Sequence, residues 1–206
     1  MIAAILLAAG ESRRMGSPKA LLTVENTTFL GRILETLATA PTPEIGTIRV
    51  VLGSRANDIR EASASVFSRF ASRVEVLENP MWRKGQVSSL RAGLEGLEST
   101  GAEGALVALV DHPFVTTATV AAIAAAWRAE PRRIVIPTFR GRRGHPVVFP
   151  RALWPELRTS PDQVGARAVV LAHHREILEL PVEDEGIVKD IDTREQYATE
   201  MRGPAV

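Results

Sequence analysis

Short, nearly unbroken apolar runs, each followed by an amphipathic stretch, narrow the possible folds of this chain more than any other feature. They occupy residues 2–8, 48–53, 74–77, 105–110 and 134–137. Runs of this length suit strands covered by helices on both faces. Between them Phe29, Ile33 and Leu37 recur at helical spacing. So do Ile59, Ala62, Val66 and Phe70, then Val87, Leu90, Leu94 and Leu97, then Val120, Ile123 and Trp127. That is the stripe of a helix packed on a sheet. The order βαβαβαβαβ predicts an α/β fold in three layers, Rossmann-like, with a mostly parallel central sheet and right-handed crossovers.

After Pro137 the pattern loosens. A Gly/Arg-rich connection at 140–144 leads to a strand at 147–149, helical segments at 152–157 and 166–172, and a strand at 177–180. An apolar stretch at 187–191 and a last helix after Thr193 complete the chain. Thr193 and Gln196 have capping-box spacing, which marks that helix start. With 206 residues, no repeat and no linker, the chain reads as one domain, 1–206.

Bulk properties chiefly exclude. A net charge of +1 gives no sign of a nucleic-acid or membrane partner. Without cysteine there is no disulfide framework, no Cys-bound zinc and no thiol nucleophile, as suits the cytoplasm. The apolar start has no basic residue before it, and Arg13 and Arg14 come after, the wrong order for a signal peptide. No stretch approaches the ~20 apolar residues needed to span a bilayer.

The loop after the first run, residues 7–19, is the first chemical candidate. Ligands of open parallel sheets bind beyond the carboxyl ends of strands, at the switch point in strand order. Gly10 and Gly16 let backbone N–H groups turn toward an anion, and Arg14 and Lys19 supply positive charge. Small residues at Ala8 and Ala9 let a base lie flat against the chain. The spacing is not that of a P-loop, because Met15 stands where its second glycine belongs. Nor is it a dinucleotide fingerprint, because Ser12 holds the middle position. A solvated surface loop would share the same composition.

Further candidates lie at predicted strand and helix ends. Gly85 precedes a helix starting near Gln86, where free N–H groups and the Ser88 and Ser89 hydroxyls converge; such serines also serve simply as caps. Asp111 follows a buried run at the ligand edge of the sheet, a place where turn or N-cap aspartates also occur. Asp190 and Asp192 alternate, so on an extended segment both face one side. Asp192 also suits the start of the last helix electrostatically. His145, in Gly141-Arg142-Arg143-Gly144-His145-Pro146, serves either loop structure or substrate binding.

These blocks together carry a resemblance. Leu-Ala-Ala-Gly-x-Ser-x-Arg-Met-Gly-x-Pro-Lys at 7–19 resembles the signature of the nucleotidyltransferases that include molybdopterin cytidylyltransferase and its guanylyl relative. Asn-Pro-x-Trp-x-x-Gly-x-x-x-Ser-Leu at 79–90, Asp-x-Pro at 111–113, Gly-x-x-Gly-His-Pro at 141–146 and Asp-x-Asp-Thr at 190–193 resemble its other blocks, in order. The resemblance implies the nucleotidyltransferase fold, with residues 1–137 as the nucleotide-binding half and 138–206 as the acceptor-binding and closing half.

It further implies that Leu7, Ala8, Ala9, Gly10, Arg14, Lys19, Gly85 and Ser89 bind the nucleotide. Arg14, Lys19 and Asp111 would serve catalysis, Asp111 and Asp192 would hold Mg²⁺, and His145 would bind the acceptor. Asp192 is preferred to Asp190 as the second metal ligand. His112, Arg13 and Ser88 fall at variable or capping positions. The implied reaction moves CMP from CTP to the phosphate of molybdopterin, releasing pyrophosphate; the Ala-Ala-Gly loop resembles the cytidylyl branch more than the guanylyl one. The alternatives are a GTP-dependent enzyme, another small phosphorylated acceptor, and a non-catalytic cofactor carrier. Contact with a molybdoenzyme or its chaperone is a further expectation.

Overall fold

A computed structural model describes residues 1–202; the last four residues of the 1–206 domain lie outside the described residues. The first half follows the apolar rhythm. Strand β1 (Ile2–Ala8) leads through a small hairpin, β2 (Thr23–Val24) and β3 (Thr27–Thr28), to helix α1 (Phe29–Thr39). Then come β4 (Ile45–Leu52), α2 (Ala56–Ala62), α3 (Ala64–Arg69), β5 (Val74–Glu78), α4 (Gln86–Leu94), β6 (Gly104–Leu109), α5 (Thr117–Ala129) and β7 (Ile134–Phe139). The second half contributes β8 (Arg142–Arg143), β9 (Val147–Pro150), α6 (Trp154–Thr159), α7 (Ala166–Ala172), β10 (Ile177–Pro181) and α8 (Arg194–Arg202).

The main sheet runs β10-β7-β9-β6-β1-β4-β5, with β8 paired beside β7. The pairs β1/β4, β1/β6, β4/β5 and β7/β10 are parallel. Every residue of β1 is buried. Ile2, Ala4, Leu6 and Ala8 face a core shared with α1, α2 and α5, while Ala3, Ile5 and Leu7 face one shared with α4, α6 and α7. This two-faced burial is why the run is unbroken rather than alternating, and it makes the three layers. From β1 the chain winds out through β4 to β5, then crosses back to β6 on β1's other side. The reversal leaves a crevice beyond the carboxyl ends of β1 and β6, where such sheets take their ligands.

Four departures from the sequence reading matter. The stripe at 59–70 is two helices, because the backbone leaves helical geometry at Ser63 (φ −105°, ψ 8°). Leu97 lies outside α4, in a 3-10 turn entered through Gly96 in the left-handed region at φ +64°, a conformation that ends helices cheaply only at glycine. Strand β9 runs antiparallel between β6 and β7, a placement its three apolar residues could not encode. Residues 187–191 do not form the extended segment that would align Asp190 with Asp192. A 3-10 turn at Glu185–Val188, started by Asp184, whose side chain accepts the Gly186 N–H, runs into irregular chain.

Candidate functional site

The loop after β1 is held by its own polar groups. Ser12, at φ +56°, accepts the Met15 and Gly16 amides at its carbonyl, at 2.9 and 3.2 Å. Its hydroxyl accepts the Lys19 amide at 2.9 Å. Met15, only 2% exposed, plugs the turn into the core. The Ala9 carbonyl takes the Ser54 amide, joining the loop to the end of β4. Arg13 and Arg14 remain exposed, Arg13 paired with Glu11.

Two carboxylates meet this loop from distant parts of the chain. Asp111 lies just past β6, and its carbonyl accepts the Ile191 amide at 2.9 Å, which brings the 190–193 block alongside. Lys19, with a side chain only 12% exposed, reaches Asp111 Oδ2 at 3.2 Å and also pairs with Asp192 Oδ1. These partners stand 92 and 173 residues from it in sequence. Arg14 Nη2 donates to Asp192 Oδ2 at 2.7 Å. The Lys19 hydrogen bond is the main cause holding the Asp192 carboxyl below its ordinary range, with Arg14 assisting against the opposing effect of burial.

Asp190 does not join them. It is exposed, because this segment is irregular chain rather than a strand that would turn alternate residues to one side. Asp192 is oriented by the start of α8. Gln196 Oε1 accepts the Asp192 and Thr193 amides, and Thr193 Oγ1 accepts the Gln196 amide at 3.2 Å. That is the capping box read from residues 193 and 196.

Helix α4 forms the facing wall. Ser88 does not cap it. Its hydroxyl lies 2.7 and 3.0 Å from the Gly85 and Met81 carbonyls and accepts from Asn79, closing the preceding turn. Asn79 also donates to the Ser89 hydroxyl. A cleft of about 610 Å³ results, lined by Leu7, Ala8, Ala9, Gly10, Arg14, Lys19, Gly85, Ser89, Asp111 and Asp192. Trp82 also lines it, with the Arg83 guanidinium 4.4 Å from its ring centroid.

His145 lies elsewhere. It lines an adjoining cleft of about 670 Å³, together with Val107, Leu109, Ile136, Val147 and Phe149 and the segment from Asp162 to Leu171. Leu7, Gln86 and Leu109 line both clefts. The imidazole Nδ1 of His145 is sealed from solvent without a hydrogen-bond partner. Burial, reinforced by nearby His112, lowers its pKa to about 4, so the ring is neutral near pH 7. Gln86 and the wall at 162–171 carry no motif and were missed in the sequence. Only their place beside Gly85 and the predicted helix at 166–172 pointed near them.

The donor set fits a divalent cation. Asp111 Oδ1 is buried without a partner, and its other oxygen shares one ammonium with Asp192. A hard cation takes one or two carboxylates and completes its shell with phosphate oxygens and water. No cluster of three acidic, His or Cys groups capable of holding a metal occurs among the described residues. The remaining ligands would therefore come from substrate and solvent.

The cation-bearing loop and the paired carboxylates thus stand together at the sheet's switch point, with a second cleft adjoining. The chain belongs to the family described as MobA-like NTP transferase domain, whose model matches residues 4–177. It is a nucleotidyltransferase of that family. It is similar to the molybdenum cofactor cytidylyltransferase of Escherichia coli (strain K12), with 25% identity over 95% of this chain and 93% of that one. It also resembles the molybdenum cofactor guanylyltransferase of Mesorhizobium japonicum, 34% identical over 75% of this chain and 67% of the other. Among solved structures, Rv0371c of Mycobacterium tuberculosis is 28% identical, covers 98% of both chains and superposes with a TM-score of 0.80. A manganese complex of that protein matches at 26% identity over 98% of both chains, with a TM-score of 0.74. No helix among the described residues is long and apolar enough to cross a membrane.

Proposed function

We propose that this chain transfers CMP from CTP to the terminal phosphate of molybdopterin. An acceptor phosphate oxygen forms a bond to the α-phosphorus, the bond from that phosphorus to the β-phosphate oxygen breaks, and pyrophosphate leaves. An acceptor phosphate is already ionised near pH 7, so no general base is needed. The observation that carries the reading is Lys19, gathered with Asp111 and Asp192 at the switch point beneath the loop.

Cations and carboxylates neutralise one another here before substrate arrives. As the triphosphate enters, Lys19 and Arg14 exchange carboxylate oxygens for phosphate oxygens and fix its orientation. Their positive charge then opposes the charge that builds on the leaving pyrophosphate. Asp111 and Asp192, released from Lys19, would hold Mg²⁺, which supplies charge neutralisation at the phosphates when bound. Gly85 and Ser89 border the base and ribose, and His145 binds the acceptor in the second cleft. Leu7, Gln86 and Leu109 border both clefts, which supports a reading in which the two substrates meet there.

The Ala-Ala-Gly loop and the near full-length likeness to a cytidylyltransferase favour CTP. The 34% identity to a guanylyltransferase keeps GTP as the second reading. The chain would act in the cytoplasm and pass its product to a molybdoenzyme or its chaperone. Pyrophosphate release by the purified chain with Mg²⁺, molybdopterin and each of four triphosphates tests this. Release with CTP is expected, while release with GTP alone moves the chain to the guanylyl branch. Binding without turnover, insensitive to Asp111→Asn, makes it a carrier. Turnover only with another phosphorylated acceptor removes molybdopterin.

A further inference from the structure

Arg194, which no motif singled out, grips the loop from outside the nucleotide cleft. Its Nε donates to the Met15 carbonyl at 2.7 Å. Its guanidinium lies over Gly16, so a methyl group there would meet Nη2 and stand 3.2 Å from Cζ. Gly16 also has φ +69°. The left-handed φ asks for glycine, and a methyl group there would push the flexible Arg194 guanidinium off its place.

The placement of this contact is informative. Ser12 has already taken the Met15 and Gly16 amides, and the Met15 carbonyl at the end of that turn goes to Arg194. Arg194 opens α8 inside the capping box, directly after Thr193 and two residues beyond Asp192. The start of α8 thus holds the loop in two ways: Asp192 through the cations Arg14 and Lys19, and Arg194 through backbone. Only the first tie uses groups that a triphosphate would claim. The second survives the exchange.

We propose that Arg194 is a positioning residue for triphosphate binding. It holds the Met15–Gly16 turn so that Arg14 and Lys19 stay in register while they pass from Asp192 to phosphate oxygens. This rests on the reading of residues 7–19 as the triphosphate loop.

The test is a double-mutant cycle on Kd for magnesium tripolyphosphate, a base-free probe, and for MgCTP. Arg194→Ala should weaken both about tenfold, the low end for a hydrogen bond to a charged group. Arg194→Lys, which keeps a donor, should recover part of that loss. Gly16→Ala should weaken binding roughly 30-fold in the wild-type background but only about threefold on Arg194→Ala, a coupling of tenfold. In the ligand-free chain, the Met15 and Gly16 amides should exchange about tenfold faster in Arg194→Ala once the local hold is lost.

Wild-type Kd in Arg194→Ala, additive losses in the cycle, or unchanged exchange at these amides overturns the proposal. A variant that only loses Tm, with Kd unchanged in the folded chain, does so too. A wild-type chain that binds neither probe refutes the loop reading itself, and the positioning role with it.

Discussion

The two clefts are built on opposite principles. The cleft proposed for the nucleotide is made largely of loop residues at strand ends, and its central charges are matched internally: Lys19 against Asp111 and Asp192, Arg14 against Asp192. The cleft proposed for the acceptor is floored by apolar strand residues, Val107, Ile136, Val147 and Phe149, with His145 as a largely buried neutral group and Arg143, Asp162 and Arg167 among its other lining residues. Charge that is already paired can be handed to a charged substrate without leaving a bare ion in a low-dielectric site. An apolar floor with a few polar groups instead selects by shape and by placement of hydrogen bonds. One region should therefore fail through charge and the other through fit.

The largest effect should come from breaking the charged set. Lys19→Ala and Asp111→Asn should each slow turnover at least ~100-fold, the scale of losing one preorganised transition-state partner. Steady-state pyrophosphate release checks this, and near-normal rates in either variant remove that residue from its role. The acceptor cleft should answer differently. His145→Asn should raise KM for the acceptor roughly tenfold, the effect of one hydrogen bond, while leaving the Kd for MgCTP within about twofold. A loss shared equally between both substrates would erase the contrast between the clefts.

The contrast also sharpens through pH. The His145 pKa falls from an ordinary 6.5 to about 4 on folding. Between those values the unfolded chain binds the extra proton and the folded chain does not. Stability contributed by the neutral ring is therefore complete above pH 6.5 and lost as pH drops toward 4. The upper limit is about 3 kcal/mol at 1.36 kcal/mol per unit, and solvent at the partly exposed ring edge brings the expectation nearer half of that. Chemical denaturation from pH 7 to 4 should show this acid limb, and His145→Asn should flatten it. An identical limb in both proteins would place the acid sensitivity elsewhere.

The same difference explains what could be read without coordinates. Loop chemistry is written in residue type: Gly10, Ser12, Met15 and Lys19 occur at spacings with few other uses, and Asp111 announces itself by ending a buried strand. The floor of the second cleft is apolar, and Val107 or Phe149 lining a cavity is indistinguishable in sequence from the same residue filling a core. Strand β9 carried the apolar residues of a strand but nothing to say that it runs antiparallel between β6 and β7. Asp190 and Asp192 alternate in sequence, and only the irregular chain that carries them shows why Asp192 alone reaches Lys19. Arg194 acts on a backbone carbonyl, a partner with no signature at all.

The pair gives a smaller test. Asp192→Asn should cut turnover roughly tenfold, because it keeps a hydrogen-bond acceptor for Lys19 but loses charge. Asp190→Asn, at an exposed position, should stay within about twofold. Equal losses would mean that the irregular segment rearranges to present both carboxylates.

The smallest expected effect asks whether the charged cleft depends on the helix that delivers it. Thr193→Ala removes the hydroxyl that accepts the Gln196 amide at 3.2 Å, which should cost about 1 kcal/mol of stability. Thr193 follows Asp192, and Gln196 Oε1 holds the amides of both, so the loosened turn should blur the Asp192 carboxylate's position. Binding of MgCTP should then weaken about threefold, with the acceptor KM unmoved, because α8 packs on the face of the sheet away from Val147 and Phe149. Calorimetry on both substrates separates the outcomes. A threefold loss for the acceptor as well would mean that the two clefts share a support, and that their opposite chemistry sits on a common frame.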